Sequence, residues 1–399
     1  MGSTGRLRVF LVTSTISNIG TWATLIALWG AAQYRFGIGA GGVTALALGW
    51  SLPMVVLAPV VGLTIDRFGP GRVLFVSQAG SIAVLVAMIA TNTFVPLVLL
   101  SVVGGMAKAF TEPATYALPP RLVDDIDLPR LNSAMRMTGF LAIVIGPAVG
   151  AFAIDAFGFD GAFWADAASF GIGLAGLSFL PLDRLGGRLE HRRSNLRADM
   201  AEGWHIVRGS FVLRRVVLAT TSISVLYGSS LVLEPLSVKR VLHRSASTYG
   251  WLQSSFGIAL VLTGFYVMRH ANRFSRLAVC SAAAVGAGIT AVIYLCSTSV
   301  VVAFVGVTTW GAATAFFSSP SATLLHRHAP GEAHGRVLAF ERMIDAGIKL
   351  TGTLTAGLLA GGLGVRAAAM IFAAVSLGIS VPALGLAMQA RPADARLPA

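Results

Sequence analysis

Charge is what this chain has least of. Only 12% of its 399 residues are Asp, Glu, Lys or Arg, against about a quarter in soluble domains, so most of its surface cannot be built to face water. Lysine is nearly missing: three of the 30 basic residues are Lys and the rest Arg, a usage that suggests a GC-rich bacterial genome. Cysteine occurs twice, at Cys280 and Cys296 in one apolar run. Sixteen residues of helix span about 24 Å, too far for a disulfide. There is no G-x-x-x-x-G-K-[ST] phosphate loop, so ATP drive within the chain is not supported. The seven His fall in loops or at the ends of apolar runs. His326, His328 and His334 are close together, but their spacing matches no metal site. Polar sequence is confined mainly to one stretch, about residues 183–215. That leaves no room for a soluble catalytic or sensory module, and no cofactor or metal is expected.

What is present is apolar. Hydrophobic residues make up 55% of the chain and mean hydropathy is +0.76. About 20 apolar residues in a helix cross a bilayer. Twelve such runs can be read: Val9–Ala32, Gly42–Leu63, Val73–Ala90, Phe94–Leu118, Met135–Phe157, Phe163–Leu182, Val216–Leu236, Tyr249–Met268, Leu277–Cys296, Val300–Thr323, Val337–Gly361 and Ala367–Met388. The first run is too long for a signal-peptide core and has no clear cleavage site, so it is expected to be retained.

The two halves repeat. Val9-Phe10-Leu11-Val12-Thr13-Ser14-Thr15-Ile16-Ser17 aligns with Val216 to Ser224 at an offset of 207, with five identities. Phe110 and Pro113 face Phe317 and Pro320 at the same offset, and Arg136, Met137 and Gly146 face Arg342, Met343 and Gly352 at 206. Several matches in order at nearly one offset indicate a duplicated membrane domain, an architecture found mainly in transporters. The expected fold class is an all-α membrane protein with twelve transmembrane helices in two pseudo-symmetric six-helix bundles. The expected boundaries are 1–182 for the first bundle, 183–215 for a cytoplasmic linker with an amphipathic helix on the inner membrane surface, and 216–399 for the second bundle.

The formal net charge of +13 does not point to nucleic acid, because of where the charges lie. With the N-terminus inside, 21 Lys and Arg fall in cytoplasmic segments, five outside and four within spans. That asymmetry is the positive-inside pattern and sets both termini in the cytoplasm. The outer cluster Lys239, Arg240 and Arg244 is an exception. It is either a rim for an anionic substrate or merely tolerated.

Gly62-Leu63-Thr64-Ile65-Asp66-Arg67-Phe68-Gly69-Pro70-Gly71-Arg72 follows the second run. Here the chain resembles the major facilitator superfamily, whose corresponding loop reads roughly G-x-x-x-D-R-x-G-R-[RK]-x. Gly62, Asp66, Arg67, Gly69 and Arg72 match; Pro70 and Gly71 replace the usual basic pair. The glycines permit a tight turn and close helix approach. The resemblance implies that Asp66 latches the halves, and Arg342 is its candidate partner. The alternative is an ordinary inner turn. Gly146-Pro147-Ala148-Val149-Gly150 in the fifth run resembles the family's G-P-x-x-G-G motif, common in proton-coupled exporters, with Ala151 in place of the last glycine; it can also be read as a plain kink. Phe110, Pro113, Asn132, the turn Phe157 to Gly161, and Asp166 to Phe170 resemble a bacterial exporter subgroup that includes enterobactin-exporter-like and macrolide-efflux-like proteins. That subgroup often carries an Asp in the first span after Ser-x-x-Gly. Here Ser17-Asn18-Ile19-Gly20 is followed by Thr21, so coupling residues cannot be copied across.

Ionisable groups inside spans cost about 2.5–3.5 kcal/mol each on insertion scales and so mark candidate function. Lys108 and Glu112 lie four apart on one helical face. Glu341, Asp345 and Lys349 form a stripe in the eleventh run, and Glu234 lies near the outer end of the seventh. The resemblance implies that spans one, four, seven and ten line a central cavity, which makes Asn18, Lys108, Glu112 and Trp310 cavity candidates. Glu112 is the leading candidate to titrate a proton; a permanent pair with Lys108 is the competing reading. For Asp345 and Lys349, mutual neutralisation competes. Trp310 is either packing or a stacking surface. The function expected is a proton-coupled exporter of a drug, antibiotic, siderophore or other small metabolite, acting as a monomer in the bacterial inner membrane. An importer on the same fold is the alternative, with a non-transporting sensor the weaker reading.

Overall fold

The computed structural model describes residues 3–122, 128–180, 196–274 and 276–389. Arg184, Arg188, Arg192 and Arg193 of the linker lie outside the described residues. Among the described residues there are helices and no strands. The bilayer explains this: with no water to bond backbone amides, each N–H and C=O must be satisfied within its own segment.

The helices in order are α1 Ser3–Tyr34, α2 Ala40–Val56, α3 Ala58–Phe68, α4 Pro70–Ala90, α5 Phe94–Ala117, α6 Leu128–Ser178, α7 Leu196–Gly209, α8 Phe211–Arg240, α9 Ala246–Arg269, α10 Ala271–Phe274, α11 Leu277–Cys296, α12 Val300–His328, α13 His334–Gly362 and α14 Val365–Gln389. Among the described residues, nine are long and apolar enough to cross a membrane, and ten segments qualify when α2 and α3 are taken as one bent span. Two features account for the difference from the twelve runs of the sequence. The apolar stretch Ser133–Ser178 of α6 is 46 residues long, about twice a single crossing. It breaks at Gly158, where φ is 72° and ψ −172°, a backbone region essentially closed to other residues. The fifth and sixth runs therefore join through a glycine turn. The long helix outside the count is α13, which carries Glu341, Arg342, Asp345 and Lys349.

The second run is not the single straight helix its hydropathy suggests. It bends by 58° between Val56 and Ala58. Pro59 lies in the first turn of α3. Its ring has no N–H to donate and would clash with the carbonyl four residues back, which stops α2 from continuing.

The chain forms two compact units. One holds Met1–His191 and Arg244–Ser254; the other holds Arg192–His243 and Ser255–Ala399. In the first unit α1 packs along α6, α4 and α2 pack on α5, and α4 packs on α6. In the second, α8 packs on α13 and α14, and α11 packs on α12 and α14. The pairings correspond: the leading helix of each unit meets its fifth and sixth spans, and its third span meets the fourth and sixth. Small residues allow the same close approach in both units. A Cβ on Gly146 would lie 2.9 Å from the Ile19 carbonyl oxygen, and in the second unit one on Gly228 would lie 2.4 Å from the Lys349 carbonyl oxygen. Without a hydrophobic drive between helices in lipid, such backbone contact is a main source of association. Pro113 of α5 and its mate Pro320 of α12 both lie inside their helices.

The segment Arg244–Ser254 joins the first unit through the start of α9. Tyr249 meets Trp29 edge-on at 6.2 Å, and a Cβ on Gly250 would lie 2.6 Å from the Pro147 carbonyl oxygen. Outside the spans, Arg35 ties three connections of this unit together. It pairs with Asp160 at 2.6 Å and donates to the Thr91 carbonyl at 3.1 Å.

The amphipathic helix expected on the membrane surface is α7, and it is docked on the start of α13. Glu202 pairs with Arg336. Trp204 and Phe340 rings lie 5.9 Å apart, and Val207 is buried. Gly203 makes room: a Cβ there would lie 2.9 Å from the Arg336 carbonyl oxygen and 2.8 Å from Phe340 Cβ. Replacing Gly203 with Val is expected to lift α7 from α13 and to speed tryptic cleavage at Arg208 relative to the wild type. Unchanged cleavage kinetics would show that the contact does not hold the helix.

Candidate functional site

The first unit encloses a cavity of about 250 Å³ lined by α1, α2, α4, α5 and both halves of α6. Three sequence candidates meet there. Asn18 comes from α1, and Lys108 and Glu112 come from α5. Lys108 Nζ lies 4.0 Å from Glu112 Oε2, with the two side chains 30% and 47% exposed. The spacing follows from the helix itself, since residues four apart share a face. Trp22, Trp50 and Tyr116 add aromatic surface. Gln78 is buried, and its Oε1 has no hydrogen-bond partner. Thr111 Oγ1 donates to Ser77 Oγ at 2.9 Å, pinning α5 to α4 beside Lys108.

The residue that sequence reasoning passed over is Asp166. It lines the same cavity from the second half of α6 and is 1% exposed. Ser169 Oγ lies 3.1 Å from its Oδ1. Gly20 of α1 faces it so closely that a Cβ there would lie 2.5 Å from Oδ1. Ser17 Oγ, on the same face of α1, donates to the Ser169 carbonyl at 3.1 Å. Asp166 thus sets a carboxyl against the α1 stretch Ser17-Asn18-Ile19-Gly20 from across the helix pair. A signal was available: Asp166 is the one ionisable residue in the run Phe163–Leu182, and such residues are functional candidates by default.

The other ionic candidates belong to the second unit. Lys349 Nζ pairs with Asp345 Oδ2 at 2.8 Å, and Ser224 Oγ donates to Asp345 Oδ1 at 2.5 Å. The Lys349 ammonium also lies 5.6 Å from the Tyr227 ring centroid. Tyr227 leads into an aromatic cluster with Phe256, Tyr294 and Trp310. Trp310 is 1% exposed and packs within this unit's aromatic cluster. Glu234 is buried in α8, with Oε2 unpartnered. Arg342 is exposed on α13.

The loop motif spans the end of α3 and the start of α4. Asp66 is half-buried there, Arg67 and Arg72 are exposed, and Arg67 stacks on Phe68 at 5.3 Å. Its two key glycines differ. Gly69 has φ 83° and ψ 146°, which other residues adopt only with strain. Gly62 faces open space, so the close helix approach expected of it is not made. In the helix-five motif the close approach is real. Gly146 packs on Ile19 and Trp22, Gly150 on Ala23, and Pro147 sits inside α6 between them.

A family model described as Major Facilitator Superfamily matches residues 10–236 and 216–399. The chain belongs to the major facilitator superfamily. It is a multi-pass membrane transporter and not an enzyme. Among curated relatives, an uncharacterized MFS-type transporter of Bacillus subtilis is 28% identical over 44% of this chain and 42% of its own length. The multidrug efflux pump Tap of Mycobacterium tuberculosis is 29% identical over 47% and 48%. The chain therefore spans about half the length of these two relatives. Macrolide efflux protein A of Streptococcus pyogenes is 21% identical over 79% of this chain and 80% of its own length. Solved structures agree in fold. A POT family transporter in complex with 5-aminolevulinic acid superposes with TM-score 0.77 at 12% identity, covering 96% of each chain. The nucleoside transporter NupG does so with 0.75 at 11%, covering 97% of this chain and all of that one.

The glycines of the transporter's loop motif make separable predictions. Gly69→Ala is expected to cost about 1–3 kcal/mol and to lower the melting temperature in detergent, while Gly62→Ala leaves it unchanged. Equal melting of the two variants would remove the conformational role of Gly69.

Proposed function

We propose that this transporter is a proton-coupled exporter of small amphipathic organic molecules, working as a monomer by alternating access. It acts in a bacterial cytoplasmic membrane with both termini in the cytoplasm, its halves 1–182 and 216–399 joined by the linker 183–215. The observation that carries the reading is the cavity in the first unit. It places an ammonium, a partly exposed carboxyl and a buried carboxyl beside amides and aromatic rings, all on helices expected to lie in the membrane. Such a set is costly in lipid unless it is used. Glu112 is reachable from the cavity and pairs loosely with Lys108, the arrangement expected of a group that gains and loses a proton as its surroundings change. The efflux proteins among the relatives favour outward transport. Asp66 and Arg342 are proposed as a latch between the halves. Asp345 with Lys349, and Glu234, are proposed as secondary charge sites of the second half.

About 250 Å³ is below the roughly 300–1,000 Å³ of pockets for drug-sized ligands. The first unit alone therefore holds part of a substrate, and the transport cycle has to supply the rest of its enclosure.

The test uses everted membrane vesicles with an imposed pH gradient, acid inside, and a panel of erythromycin and other amphipathic antibiotics. Wild-type vesicles are expected to accumulate a panel member, and an ionophore that collapses the gradient to abolish accumulation. Glu112→Gln is expected to reduce gradient-driven accumulation by about tenfold, within the usual range of coupling energies. Accumulation only in right-side-out vesicles would make the protein an importer, and accumulation that ignores the gradient would overturn proton coupling.

A further inference from the structure

A buried carboxyl needs a cation, a set of donors or a proton. For Asp166 the possible cations can be traced helix by helix. α1 carries no charged residue between Arg8 and its C-terminal end, and α4 carries none after Arg72. α2 has no charged residue at all. On α6 itself, Arg136 and Asp155 are exposed, Asp160 pairs with Arg35, and none of the three lines the cavity. Among the described residues that line the cavity, the charges beside Asp166 are therefore Lys108 and Glu112 of α5. Lys108 acts electrostatically on Asp166 while standing 4.0 Å from Glu112. Beyond Glu112, Tyr116 lies within reach of both Glu112 and Arg136.

One ammonium thus shares the cavity with two carboxyls and acts on both. If both carboxyls were ionised, the cavity would hold a net negative charge where the dielectric is low and the cost is highest. The deficit is one charge. Glu112, almost half exposed, can be solvated; Asp166, buried where α6 meets α1, has among the described residues the hydroxyls of Thr24 and Ser169 and the Lys108 ammonium. We infer that Asp166, Lys108 and Glu112 form a single proton site, in which Lys108 neutralises one carboxyl and the other, Asp166 in this conformation, carries an exchangeable proton. Movement of the ammonium from Glu112 to Asp166 releases the Asp166 proton to the cavity and leaves Glu112 to take up the next one, so one proton is held before and after. Gly20 is part of the device, because only a residue without a side chain lets Asp166 lie against α1. The inference rests on the exporter reading for its use in transport, but the proton count stands on the cavity alone.

Infrared spectroscopy of the purified, full-length transporter in lipid at neutral pH tests it, read at the carbonyl band of protonated carboxylic acids. Asp166→Asn is expected to remove one acid equivalent from that band. Glu112→Gln, at a partly exposed position that tolerates change, is expected to weaken it, because Lys108 is freed to pair with Asp166. Lys108→Gln is expected to add one equivalent, since both carboxyls must then be neutral. Arg136→Gln is expected to leave it unchanged. Any contribution from Glu234 is constant across the series. A band unaltered by Asp166→Asn, or not increased by Lys108→Gln, would overturn the inference. A band that follows this pattern in a protein whose drug transport ignores pH would uphold the proton site and defeat the exporter reading.

Discussion

A bilayer interior gives a charged side chain no water, so each charge there must be matched by an opposite charge, a ring of donors or a proton within a few ångströms. Several ionic groups of this transporter meet that constraint by direct pairing, while Glu234 is buried with Oε2 unpartnered. Asp345 has Lys349 and Ser224. Arg35, at the edge, has Asp160 and a carbonyl. The first unit's cavity is where direct pairing runs short, with two carboxyls sharing Lys108. A deficit of one charge in a low-dielectric pocket is a reason for a proton to be there.

The same medium shapes the scaffold. Because lipid does not drive helices together as water does, contact depends on how close backbones can come. Gly146 and Gly150 on α6, Gly228 on α8 and Gly250 on α9 are all positions where a Cβ would strike a neighbouring helix. Gly20 belongs to this group by geometry but serves the site as well, since its neighbour is a carboxyl. The helix-five motif thus positions α1, and α1 in turn closes over Asp166.

Hydropathy made the spans legible, and residue identities and short motifs did the same for the repeat and the family, because each is written along single segments. What was less legible depends on contacts between them. The bend at Pro59 lay inside an unbroken apolar run, and one proline does not say whether a helix will kink or stop. The docking of α7 was hidden because Trp204 and Val207 have the spacing of a surface helix, and only Gly203 hints at a partner. Asn18, Lys108 and Glu112 could be grouped from their chemistry. Asp166 could not be joined to them, since it lies in another run and its nearest counter-charge is on α5. The pairing read for Asp66 and Arg342 spans the two units and remains a proposal.

The central claim is that substrate and proton use the same small set of groups, and linkage makes it measurable in reverse: if protons drive drug movement, a drug gradient must drive protons. Proteoliposomes containing the purified transporter, a trapped pH-sensitive dye and no imposed pH gradient are given a step in external drug concentration. The account predicts proton movement opposite to the drug in the wild type and none in Asp166→Asn or Lys108→Gln. Drug crossing the membrane with no accompanying proton movement in the wild type would contradict it.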